Sequence, residues 1–129
     1  MANNKKGALD GIKILDLTRF GAGPGCTQIL GDMGAEIIKI EEPAGDPSRF
    51  SAPASGDTGG YFPLFNRNKM SVTLDMRKPE GKDIFRKLVK QADAVVENFR
   101  PGAIERLGFS YDKLREINPR IILGSISDF

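Results

Sequence analysis

Short aliphatic runs alternate along this chain with stretches of helical periodicity, and that alternation limits the fold more than any other feature. Ile12 to Leu17 (IKILDL), Glu36 to Glu41 (EIIKIE), Ser71 to Leu74, Ala94 to Val96 and Ile121 to Ile126 read as strands. After a turn rich in glycine, Pro24 opens a helix in which Thr27, Ile29, Leu30 and Met33 recur at helical spacing until Gly34. Pro79 and Glu80 open a second, with Ile84, Phe85, Leu88 and Val89 as one apolar stripe, and shorter helices are predicted from Pro101 to Leu107 and from Tyr111 to Ile117. The order β-α-β, then β-α-β followed by two short helices and a last β, predicts an α/β fold with a parallel sheet, flanking helices and right-handed crossovers.

The last strand ends three residues before the chain does, so no covering helix follows it. A parallel sheet needs both faces covered. The sheet is therefore expected to be truncated here, either the front part of a larger protein or one completed by another chain. Residues 1–10 are expected to form a flexible tail, and 42–60, rich in glycine, proline and serine, a long surface loop. Tyr61, Phe62, Leu64 and Phe65 make an apolar knot behind it.

Composition removes several classes of function. Nineteen Lys and Arg against 17 Asp and Glu leave a net charge of +2, which gives no electrostatic case for nucleic acid. No apolar run has the length of a membrane span, and the basic start has no apolar stretch behind it, so a cytoplasmic protein without a secretory signal is expected. With no histidine and one cysteine, the chain holds no Ser-His or Cys-His pair and no thiol/imidazole metal site, and no metal is expected.

Three strings carry candidate chemistry. ILDLTRFGAGPG is similar to a dinucleotide fingerprint, with Glu41 twenty residues after Gly21 for a ribose. Thr18, Arg19 and Phe20 delay the first glycine, however, and the third falls one position early, which favours a tight turn with close backbone packing. Cys26, the next residue, in the first turn of the helix, reads as a small buried residue between helix and sheet. FNRNKMSVTLDMRKPEG puts Arg67, Lys69, Arg77 and Lys78 at the two ends of a strand, where a polyanion could be met. VVENFRPGAIERLGF leaves the carboxyl end of a strand, the edge where open α/β sheets bind ligands. It offers Arg100 and Arg106 as forked donors, the helix start after Pro101 for a phosphate and Phe99 as a flat apolar face.

Together, LDLTRFGAGPGCTQILGDMGAEIIKIEEPAGD, NRNKMSVTLDMRKPEG, VVENFRPGAIERLGF and NPRIILGSIS resemble, in order and spacing, the class III CoA-transferases, the family that includes formyl-CoA transferase and α-methylacyl-CoA racemase. The resemblance runs from about Gly11 to Phe129 and implies that 11–129 is the N-terminal part of a large Rossmann-like domain. It also implies a homodimer of interlocked subunits and a reaction in which an aspartate outside this segment attacks an acyl-CoA before a carboxylic acid takes over the CoA. Asp128 stands where relatives commonly carry glycine and is not that aspartate. By position the resemblance assigns Leu74, Met76 and Arg77 to the adenosine phosphate end of coenzyme A, and Asn98, Phe99, Arg100 and Arg106 to its nucleotide and diphosphate. Phe20 and Gly21 fall near the thioester. Glu42 follows Glu41 where some relatives have arginine, so the same phosphate contact is not carried over from this strand. An acyl-CoA racemase, or a dinucleotide-binding oxidoreductase module, remains an alternative.

Overall fold

The computed structural model describes residues 6–51 and 60–127. Five strands form one sheet: β1 (Lys13–Asp16), β2 (Glu36–Glu41), β3 (Met70–Thr73), β4 (Ala94–Glu97) and β5 (Ile122–Ser125). All pairings are parallel and the order is β3-β2-β1-β4-β5. Chain progression reverses between β1 and β4, with Leu15 in register with both Ile38 and Val95. Such a switch point opens a crevice outside the carboxyl ends of the strands.

Alternation along the strands divides the core. Leu15, Leu17, Ile38, Ile40 and Val95 share one cluster with Phe85, Val89, Ile104, Phe109 and Leu114, from α3 (Pro79–Gln91), α4 (Ala103–Arg106), α5 (Tyr111–Ile117) and the turn between the last two. Phe85 and Phe109 meet edge to face, ring centroids 4.7 Å apart. Ile14, Ile37 and Val96 form a smaller cluster with Ala35, Leu30 and Leu9. Leu9 belongs to a turn within the stretch expected to be a tail, and its amide donates to the Met33 carbonyl at 2.9 Å.

α1 (Ala22–Asp32) reverses the expected stripe. Its buried residues are Gly23, Pro24, Thr27, Gln28 and Gly31, while Ile29 and Met33 are exposed, as is Cys26, which therefore does not pack helix on sheet. Small residues bring this helix close. A Cβ on Gly23 would sit 2.5 Å from Thr18 Cβ, and one on Gly31 would lie 3.1 Å from Ile37 Cγ1. Gly81 in α3 is tighter still, since a Cβ there would meet the Asp75 carbonyl oxygen at 1.9 Å. Ile84 on the same helix is exposed, leaving Phe85 and Val89 fully buried.

The expected knot is a helix, α2 (Tyr61–Asn66), which packs on α1. Within the expected long loop, Pro47–Phe50 forms a 3-10 turn capped by Asp46, and the stretch 52–59 lies outside the described residues, as does Asp128. Both edge strands carry exposed apolar residues, Met70 and Val72 on β3 and Ile122 on β5.

Candidate functional site

The carboxyl ends of the strands carry two contrasting constructions. On the α1/α2 side, every second residue is polar: Asp16 at the end of β1 and Thr18 just beyond it, Lys39 and Glu41 on β2, Ser71 on β3. These build a buried ionic core. Asp16 accepts from the Thr18 amide at 2.8 Å, from the Thr18 hydroxyl, from Thr27 Oγ1 at 2.6 Å and from Lys69 Nζ at 2.9 Å. Lys69 also donates to the Pro24 carbonyl and Asn66 Oδ1. Lys39 Nζ donates to the Thr18 carbonyl at 2.7 Å and pairs with Asp46 Oδ2 at 2.9 Å, both side chains 1% exposed. Arg49 forks onto Glu41 at 2.8 and 2.7 Å, and its guanidinium lies 3.7 Å from the centre of the Phe62 ring.

Burial alone would raise the Glu41 pKa, but donors from Arg49, Ser71 and the Asp46 amide outweigh it and hold the group at about 2. Asp46 is likewise lowered against its burial by Lys39 and the Ser48 amide and hydroxyl. Burial pushes Lys69 down from its ordinary value despite Asp16 beside it.

Two sequence expectations change here. Lys69 faces the protein interior, and Arg67 pairs with Asp32 at 2.9 Å, so neither of these cations at the start of β3 is presented to a ligand at the carboxyl edge. Glu41 has its carboxylate engaged by Arg49, Ser71 and the Asp46 amide, which leaves the dinucleotide reading without its ribose acceptor.

On the other side of the same edge lies an open cleft of about 580 Å³, within the range of small-molecule sites. Leu17, Ile40, Leu74, Met76, Phe99 and Leu107 supply apolar wall, and Arg19, Phe20, Glu42, Asp75, Arg77, Asn98, Arg100, Ala103 and Arg106 complete it. Of the residues singled out from sequence, Phe20, Leu74, Met76, Arg77, Asn98, Phe99, Arg100 and Arg106 come together here. Gly21 does not line the cleft; it faces α2, where a Cβ would meet the Tyr61 hydroxyl at 2.6 Å. Arg19, Glu42 and Asp75 were not among the residues singled out for the site, although their positions just beyond strand ends carried the signal.

The four arginines differ. Arg77 grips Asp75 through Nε at 2.9 Å and Nη2 at 3.2 Å, which lowers the Asp75 pKa and raises its own. Arg19 pairs with Glu42 at 3.0 Å. Arg100 and Arg106 have no carboxylate partner among the described residues, and both are exposed. Asn98 serves the backbone: its Oδ1 accepts from the Arg19 amide and its Nδ2 donates to the Arg19 carbonyl, both at 2.8 Å. This pins the residue before Phe20, whose φ of 66° is rare for a bulky side chain. The helix after Pro101 starts later than expected. Gly102, with φ 82°, precedes α4, and the Ala103 amide is already spent on the Arg100 carbonyl at 2.9 Å.

Sheet order and cleft define an α/β protein with a crevice at its strand switch point, the place where open α/β sheets bind ligands. The chain belongs to CoA-transferase family III, which it matches over residues 9–129. It is 49% identical to an acyl-CoA transferase of Fusarium pseudograminearum over 99% of its length, and 46% identical to a formyl-CoA:oxalate CoA-transferase of Rhodopseudomonas palustris over 95%. It spans only 30% and 29% of those two relatives. Among solved structures it superposes on a CaiB/BaiF family protein from Brucella suis with a TM-score of 0.90, at 42% identity over 97% of this chain and 34% of that one. A hypothetical protein from Mycobacterium tuberculosis gives 0.91 at 40% identity, over 98% and 35%.

Proposed function

We propose that this segment supplies the nucleotide-holding part of the coenzyme A site in an enzyme that moves CoA from an acyl-CoA donor to a carboxylic acid. The observation that carries this reading is the cleft itself, where Arg100 and Arg106, free of carboxylate partners among the described residues, stand over an apolar wall that includes Leu74, Met76 and Phe99. CoA presents the matching chemistry, with a diphosphate and a 3′-phosphate for the arginines and a purine for Phe99 and its neighbours. The names of the relatives point to the same substrate class.

On this reading the attacking aspartate comes from outside the segment, through a mixed anhydride and an aspartyl-CoA thioester, and two interlocked subunits complete each site. Residues 1–129 alone then bind but do not turn over. The test is titration calorimetry of the full-length protein with CoA and with NAD. Saturable binding of CoA alone, weakened in Arg100→Ala, supports the reading; saturable binding of NAD, or CoA binding indifferent to Arg100, overturns it. A covalent aspartyl-CoA adduct on residues 1–129 would refute the assignment of the nucleophile.

A further inference from the structure

We infer that Arg19 is an additional phosphate-binding residue of the cleft and that Glu42 is the positioning residue that aims it. The inference rests on the coenzyme A reading above and concerns a pair that this reading leaves unused.

Three observations fix the geometry. Asn98 clamps the Arg19 backbone from both sides at 2.8 Å, so the root of the side chain cannot drift. The guanidinium carbon lies 5.3 Å from the centre of the Phe99 ring, and Nη1 lies 3.0 Å from Glu42 Oε1. The side chain is thus fastened at its base, against an aromatic face and at one terminal nitrogen, while it lines the cleft beside Arg100. A guanidinium carries five N–H donors, and a contact through one nitrogen leaves donors for an anion. Only 37% of this side chain is exposed, so much of the ordering cost is met before a ligand arrives. Arg77, by contrast, spends Nε and Nη2 on Asp75.

Glu42 has two possible effects of opposite sign. As a bare charge it would repel an anionic ligand, and as a partner of Arg19 it holds the donors in place. The 3.0 Å contact and the shared cleft wall point to the second.

The experiment measures affinity for CoA, ADP and pantetheine in the full-length protein carrying Arg19→Ala, Glu42→Ala, Glu42→Gln, the double change Arg19→Ala/Glu42→Ala, or Arg100→Ala. Arg19→Ala is expected to weaken CoA and ADP about tenfold and pantetheine, which lacks phosphate, hardly at all. Glu42→Ala should weaken CoA and ADP by about threefold to fivefold, with Glu42→Gln closer to wild type because the amide oxygen still accepts from Nη1. In the Arg19→Ala background, removing Glu42 should change nothing further. If Arg19→Ala leaves CoA and ADP unchanged while Arg100→Ala weakens them, this inference fails and the CoA reading stands. If Arg100→Ala is also silent, the CoA reading fails instead. Tighter CoA binding in both Glu42 variants, regardless of Arg19, would assign Glu42 as a repulsive charge and overturn the positioning role. Equal loss for pantetheine and CoA would make the pair merely structural.

Discussion

The two faces at the carboxyl edge of the sheet use the same residue types to opposite ends. Beneath α1 and α2, Lys39, Lys69 and Arg49 each have a carboxylate within 2.9 Å or less, and those carboxylates, Asp46, Asp16 and Glu41, are buried. Across the sheet, Arg100 and Arg106 stand exposed over an apolar wall with no such partner among the described residues. A buried charge must be matched within the fold because the desolvation it suffers has to be offset. A charge left unmatched at a cleft is free to be matched by something that arrives. One side is therefore structural and the other receptive, although they share β1 and β2 as their floor.

The sharpest way to break this contrast is to strand a charge on the closed side. Lys39→Met leaves Asp46 buried without its cation and is expected to cost about 3 to 5 kcal/mol in urea unfolding, with part recovered in Lys39→Met/Asp46→Asn. Recovery is the decisive outcome, since a purely steric defect would not be relieved by neutralising the partner.

Acid titration probes the same side. Glu41 is held at about 2 against an ordinary 4.5, so its contribution is fully present above pH 4.5 and is lost as pH falls towards 2. The loss should be on the order of 3 kcal/mol and should shrink markedly in Glu41→Gln. Unfolding free energy measured across that window decides it.

On the open side the effect should move from folding to binding. Arg100→Ala is expected to weaken CoA by about tenfold to a hundredfold, more at low salt than at high, with unchanged thermal stability. Phe99→Ala should weaken it with a smaller salt dependence than Arg100→Ala, because the substitution removes an apolar face and loosens, without removing, the Arg19 charge packed on it. Affinities at two ionic strengths separate the two.

The smallest effect belongs to neither face. Arg67 and Asp32 form an exposed pair at 2.9 Å, and Arg67→Ala should change stability by less than about 1 kcal/mol in the same urea assay. A larger loss would show that pairing distance, rather than burial, sets the scale.

The sheet was legible in the sequence because its strands are short, aliphatic and separated by strong punctuation. The loop from Asn98 to Arg106 was legible because it leaves a strand at its carboxyl end. The ionic core was not. Asp16 and Lys39 look like polar interruptions in aliphatic strands, and only the register of β1 with β2 places them on one face. α1 was legible only in part: Thr27 and Leu30 face the protein as their spacing suggests, whereas Ile29 and Met33 do not, because close approach to the sheet selects the small face of Gly23, Thr27 and Gly31. The shifted start of α4 follows from Gly102, whose left-handed backbone lets the chain turn once more after Pro101 before the helix begins.

Gly81 lies in the first turn of α3, away from the cleft, yet the atom it crowds is the Asp75 carbonyl oxygen, in the strip of chain that forms the cleft wall from Leu74 to Arg77. One methyl group at that position would act as a wedge behind the wall. Either the start of α3 or the strip has to shift, and a shift of the strip carries Asp75 and Met76 with it, altering the cleft although no residue lining it has been substituted.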